Sequence, residues 1–409
     1  MTPASLRIGI DARLSDGERG GVQQALIGLA SGLAELDGPE EYLFLVRGGE
    51  HDWLRPHLRG RCRALELPPR PAWKRALDPI MPRWAFNAAA PLLAHVPESD
   101  GTIERAGVQV MHLALQSGFA TRLPTIYTPH DLLHVHLPEL IHPHERRWRE
   151  AVYPELCRRA AAVTALSRWG KADLVSSLGV APAKVHVIGW APAIDAYSEP
   201  SGGDLENVRH RHGLPEAFAL YPAQTWPHKN HLRLVEALAL LRDRLGLVVP
   251  LVLTGRENES SVAIRARIRA LRLEGQVRFL GFVSPLEIQA LYRLARAMIF
   301  PSLFEGFGIP VVEAFRVGLP VAYATATSLP EVAGDGGLPF EPGDVSAIAS
   351  ALHRIWTEDE LRRELAQRGR RRAAAFSWTE TARKLRALYR SVGGQELTER
   401  DRDVLQELL

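Results

Sequence analysis

The rhythm of this chain restricts its fold more than any other feature. Short apolar runs alternate with helix-length amphipathic segments, first over residues 7–178 and again over 218–324. Such alternation specifies α/β architecture with parallel sheets, here twice over. In the first half the strand candidates are Arg7–Ile10, Tyr42–Val46, Val110–Leu113, Thr125–Thr128 and Ala162–Leu166, with helices over Val22–Leu36, Pro143–Arg159 and Arg168–Leu178. In the second, strands over Phe218–Tyr221, Val249–Leu253, Val277–Leu280, Ala297–Phe300 and Val321–Ala324 alternate with helices over Leu232–Leu245, Val262–Leu271 and Pro310–Val317. Ser284-Pro-Leu-Glu287 is a capping box that starts a further helix.

The polar Gly/Ser/Pro stretch Ser198–Asp204 has the composition of a linker. The expected division is a first Rossmann-like domain over 1–197, a linker over 198–206 and a second such domain over 207–376. A capped helix over 377–392 is expected to cross back to the first domain, although its pattern fits the second equally; residues 393–409 are read as a tail. Ligands of open parallel sheets bind at the carboxyl ends of strands, so a cleft between the halves is the expected site.

Composition excludes several classes. A net charge of +3 over 409 residues leaves no nucleic-acid footprint. Two isolated cysteines, Cys62 and Cys157, give neither a metal spacing nor a disulfide framework, and are expected as free thiols in a cytoplasmic protein. The first residues lack the pattern of a signal peptide, and no long unbroken apolar stretch reads as a membrane span.

Four segments carry the chemistry. In Glu305-Gly-Phe-Gly-Ile-Pro-Val-Val-Glu313, a strand gives way to a glycine-bearing loop and then a helix. Free N–H groups at a helix start favour an anion, and carboxylates accept sugar hydroxyls. On spacing alone a plain strand–turn–helix with a helix-dipole glutamate fits as well. Lys229, in Pro-His-Lys-Asn230, is one of only five lysines in an arginine-rich chain. Placed between a strand and a helix, it suits phosphate oxygens; the alternative is a solvated loop cation. Gly20-Gly21 between the first strand and helix forms either a backbone nest for pyrophosphate or a simple loop. His130, in Thr128-Pro-His-Asp-Leu-Leu-His134-Val-His136, is placed for hydrogen bonding or proton transfer. The spacing of the three histidines argues against a metal site.

Together these segments resemble the retaining glycosyltransferases of family four, with a GT-B fold. The resemblance runs from Gly9 to about Val392 and also rests on Leu280-Gly-Phe-Val283 and Ser328-Leu-Pro-Glu-Val-Ala-Gly334. It implies that Glu313 binds the donor ribose and that the backbone from Gly306 through Phe307 to Gly308 meets the sugar or phosphate. It places Glu305 beside the sugar ring, Lys229 on the leaving diphosphate, and Phe282, Val283 and Ile309 around the base. Gly21 would close over the diphosphate and His130 would face sugar or acceptor. The implied reaction is transfer of a mannosyl or glucosyl group by a front-face, retaining mechanism. The implied donor is a GDP- or UDP-sugar, with no cofactor and no metal. The implied acceptor is a glycan, a lipid-linked carrier or a small molecule, within a polysaccharide pathway. One departure stands out: many relatives carry arginine six residues before the lysine, where this chain has Ala223. Arg256 is the expected replacement, the alternatives being His228 or a leaving group held more by backbone.

The basic, aromatic segment 70–86 is read either as an irregular acceptor-domain loop or as a peripheral contact with anionic membrane. Two other functions share the pattern: a nucleotide-sugar epimerase or phosphorylase on the same fold, and a non-catalytic sugar-nucleotide binder.

Overall fold

The computed structural model describes residues 5–15, 20–68 and 95–409. The segment 70–86, for which an acceptor or membrane role was expected, lies outside the described residues, as do 16–19 before the Gly20-Gly21 pair. The chain divides into two compact units, one formed by 1–190 with 378–409 and the other by 191–377.

The first unit holds a seven-stranded parallel sheet. Its strands are β1 (Arg7–Asp11), β2 (Glu41–Arg47), β3 (Cys62–Leu67), β4 (Val110–Leu113), β5 (Thr125–Tyr127), β6 (Ala162–Ala165) and β7 (Val185–Val187), in the order β3-β2-β1-β4-β5-β6-β7. Alternate residues serve the two faces. Met111, Leu113, Tyr127 and Val163 join Tyr153 and Leu156 in the core on one side. On the other side the helices Gly20–Ala34 and Trp378–Val392 pack together. Their approach requires glycine at position 28, where a Cβ would meet the Trp378 ring within 2.0 Å.

A buried polar chain ties the late helix to the sheet. His112 Nδ1 lies 2.7 Å from the Tyr389 hydroxyl and Nε2 lies 2.9 Å from Thr128 Oγ1, which in turn meets Thr164 Oγ1 at 2.5 Å. Burial pushes the His112 imidazole down to about 3, so it is neutral at ordinary pH. Residues 399–407 form another helix, opened by the capping box Thr398–Asp401, and Arg390 bridges Asp401 (2.9 Å) and Glu40 (2.6 Å).

The second unit holds β8 (Ala219–Pro222), β9 (Leu251–Thr254), β10 (Val277–Phe279), β11 (Ala297–Phe300), β12 (Val321–Ala324) and β13 (Leu338–Phe340), all parallel, in the order β10-β9-β8-β11-β12-β13. Its central strands are buried on both faces and read as continuous apolar runs. Phe218, Tyr221, Leu238, Met298, Phe300, Val311 and Phe315 belong to one core. The stretch 198–206 lies within this unit, where Ser201 and Asp204 form the capping box of the helix Gly202–Arg211. Every strand and helix expected from sequence is present, with ends displaced by no more than two residues.

Candidate active site

In the second unit the strand order reverses direction between β8 and β11. Connections leave these neighbours toward opposite sides, which opens a crevice at their carboxyl ends. The β8 loop carries Lys229 and the β11 loop carries Glu305.

Both loops are stitched from below. The Tyr221 hydroxyl, at the end of β8, donates to the Lys229 carbonyl (2.6 Å) and lies 3.2 Å from Ser302 Oγ. The Leu303 N–H donates to the His228 carbonyl at 2.7 Å. Asn230 caps the helix His231–Leu245 in a left-handed conformation (φ 63°), and its buried amide donates to the carbonyls of Pro301 (3.0 Å) and Pro342 (2.8 Å). With the backbones fixed, Lys229 Nζ reaches Glu305 Oε1 at 2.5 Å. The lysine side chain is 18% exposed and the glutamate 12%, so the pair is sheltered yet accessible from the strand ends.

Gly306, Phe307 and Gly308 lead into the helix Ile309–Val317. Gly308 is its N-cap at φ 100°, a conformation that favours glycine. The Phe307 side chain is buried edge-to-face against Phe376 (5.7 Å between ring centres), and Ile309 is buried too. Among the described non-glycine residues, four have left-handed φ: His130, Asn230, Arg272 and Thr327. Two of the four, His130 and Thr327, stand three residues past the carboxyl end of a strand, where strained backbone commonly accompanies function.

Glu313 faces inward. It is 7% exposed; its Oε2 accepts from the Tyr292 hydroxyl at 2.8 Å, and the backbone N–H groups of Ala193 and Ile194 also hydrogen-bond to it. Burial outweighs these bonds and pushes the carboxyl up to about 7. In this conformation Glu313, expected to bind the donor ribose, is hydrogen-bonded to partners within the protein.

The remaining expected residues are distributed as follows. Gly255, after β9, lies against the Ala223–Gln224 backbone, and its N–H donates to the Gly281 carbonyl at 2.8 Å. Arg256 is exposed and forms no ion pair among the described residues. Phe282 is 57% exposed and Val283 half-buried in the turn after β10. Gly21 and His130 belong to the first unit. Gly21 lies in the first turn of its helix, and the His130 Nε2–H donates to the Ala114 carbonyl (2.9 Å) with its ring against Trp190. The three histidines go separate ways: His134 packs on Tyr153 and His136 meets Asp173 at 2.7 Å. No group of three or more metal-ligating side chains occurs among the described residues, and no helix among them is long and apolar enough to cross a membrane.

Sequence reasoning missed Thr327 and Tyr292; Ser328 entered only as the first residue of a matching motif, which was the available signal for its neighbour Thr327.

Comparison with known proteins agrees with this architecture. The model for glycosyl transferases group 1 matches residues 205–372, and that for Glycosyltransferase Family 4 matches 19–190. The chain is 32% identical over 256 residues to O-antigen chain mannosyltransferase B of Escherichia coli, covering 62% of this chain and 66% of that protein. It is 32% identical over 232 residues to serotype-specific mannosyltransferase WbdA of Escherichia coli, covering 55% of this chain but only 28% of that longer protein. The crystal structure of Anabaena HepE with UDP and glucose superposes with a TM-score of 0.71 at 21% identity, over 94% of this chain and all of that one. Its two Rossmann-like sheets, the two matched models and these relatives identify the chain as a member of the family 4, group 1 glycosyltransferases, with the GT-B fold.

Proposed function

We propose that the chain transfers a mannosyl group from a nucleoside diphosphate sugar to a saccharide acceptor, with retention of anomeric configuration and without a metal ion. The carrying observation is the Lys229–Glu305 pair at the strand-order reversal, beside the amino end of the helix Ile309–Val317. A diphosphate seated there meets one cation and the positive end of the helix dipole, although Pro310 carries no N–H and the Val311 N–H already donates to the Gly308 carbonyl at 3.0 Å. As the bond from the anomeric carbon to the diphosphate breaks, negative charge grows on the phosphate. Lys229 and the N–H dipoles are already oriented to stabilise it. Positive charge grows on the sugar ring, where the Glu305 carboxylate offsets it. An acceptor hydroxyl attacks from the side of the departing diphosphate, which takes its proton.

The mannosyl assignment is supported by the names of the two Escherichia coli relatives. The name of the O-antigen chain relative supports a glycan acceptor. The test is a thermal-shift comparison of GDP-mannose, UDP-glucose and ADP-glucose with EDTA present, since a bound donor raises the melting temperature by mass action. The anomer first released on donor hydrolysis is then read by NMR. GDP-mannose is expected to give the largest shift and the α-anomer to appear first. An inverted product, or an absolute requirement for a divalent ion, would overturn the mechanism; a larger shift with UDP-glucose would overturn the mannosyl assignment.

A further inference from the structure

We infer that Thr327 is a positioning residue for Glu305, an inference that rests on the proposed placement of Glu305 beside the donor sugar. Thr327 sits in the loop after β12, and its φ of 49° is one that β-branched residues strongly disfavour. Something must hold it there. Its hydroxyl does two things at once: it accepts the Glu305 N–H at 3.0 Å and donates to the Glu305 carbonyl at 2.8 Å. The N–H belongs to the peptide plane before Glu305 and the carbonyl to the plane after it. Those two planes define φ and ψ of Glu305, so a single oxygen, 22 residues away in sequence, sets the direction in which the glutamate side chain leaves the backbone. The buried Ser328 hydroxyl adds a second donor to the same carbonyl at 2.9 Å, but only Thr327 accepts from the N–H.

The arrangement differs from the usual role of loop hydroxyls, which bond to backbone a few residues away. Here the β12 loop grips the β11 loop at the one residue whose side chain meets Lys229. The consequence is a Glu305 carboxylate held in place before the sugar arrives, so that no reorganisation is needed as charge develops.

The test compares Thr327→Gly, Thr327→Ala and Thr327→Ser with Glu305→Ala. Glycine relieves the backbone conformation and removes the hydroxyl, alanine removes the hydroxyl alone, and serine keeps it. The probes are GDP and GDP-mannose, or UDP and UDP-glucose if that donor gives the larger thermal shift. Affinities are read by calorimetry, and turnover as nucleoside diphosphate released. Both hydroxyl-free variants are expected to bind the bare diphosphate no more weakly than the parent, and at most about fivefold more tightly where Glu305 lets go of Lys229. They should bind the nucleotide sugar at least fivefold more weakly and turn over at least tenfold more slowly, with serine restoring both. If the glycine variant melts, the alanine variant carries the comparison. Hydroxyl-free variants that keep sugar affinity and turnover within twofold, while Glu305→Ala loses them, would overturn the role of Thr327. If Glu305→Ala itself changes neither, the placement of Glu305 falls, and the role of Thr327 with it.

Discussion

Lys229 Nζ and Glu305 Oε1 stand 2.5 Å apart, across the two loops that follow β8 and β11. The same ammonium is the cation proposed to meet the donor diphosphate, so carboxylate and phosphate compete for it. Glu305→Gln therefore releases Lys229. Bare GDP or UDP should bind about three- to fivefold more tightly, the scale of a sheltered ion pair, while turnover falls. Lys229→Ala should weaken diphosphate binding and lower turnover by about a hundredfold. Calorimetry alongside a diphosphate-release assay checks both signs.

Glu313 gives a dependence on pH. Its carboxyl is raised from 4.5 to about 7 by burial, so between those values the folded protein holds a proton that the unfolded chain has released. Its contribution to stability is present in full below about pH 4.5 and is lost as pH rises through about 7. Glu313→Gln mimics the protonated form. The variant should match the parent near pH 4.5 and melt higher than the parent at pH 8, as read by paired thermal melts across that range.

Arg256 is the test of how this chain manages with Ala223. It is exposed, it has no ion-pair partner among the described residues, and the preceding Gly255 lies against the Ala223–Gln224 backbone. Arg256→Ala should weaken binding of the nucleoside diphosphate about three- to tenfold. It should leave the melting temperature nearly unchanged, as exposed substitutions do. Unchanged affinity and turnover would remove Arg256 from the diphosphate site.

Tyr389→Phe probes the polar chain in the first unit. The substitution keeps the ring but leaves the buried His112 Nδ1 without its hydroxyl partner at 2.7 Å. The expected loss is about 1–3 kcal/mol, measured as a lower urea midpoint at constant slope.

The elements read best from sequence are those whose surroundings are uniform. Ala297–Phe300 and Val321–Ala324 are apolar throughout because helices cover both faces, so no register had to be guessed. Strands at the margins were harder. In β3, Arg63 and Glu66 break the apolar run, and β13 carries Pro339, which a strand tolerates at a sheet edge. Lys229 and Glu305 were legible because a rare lysine and a glycine-bearing loop are local signals. The bond from Thr327 to Glu305 spans 22 residues and uses backbone atoms that every residue possesses, so nothing in the local pattern announces it. The inward turn of Glu313 likewise depends on Tyr292, which a later strand and loop bring beside it.

The helix Trp378–Val392 belongs to the first unit although the whole second unit precedes it in the chain. Synthesis therefore delivers the parts out of register with the architecture. The second unit is continuous over 191–377 and has all its strands as soon as it emerges, whereas the first must wait for Trp378, Leu385 and Tyr389 before the face beneath Gly28 and His112 is covered. A ribosome-bound chain halted before residue 378 should hold one finished body and one with a bare apolar flank, the kind of surface that chaperones retain.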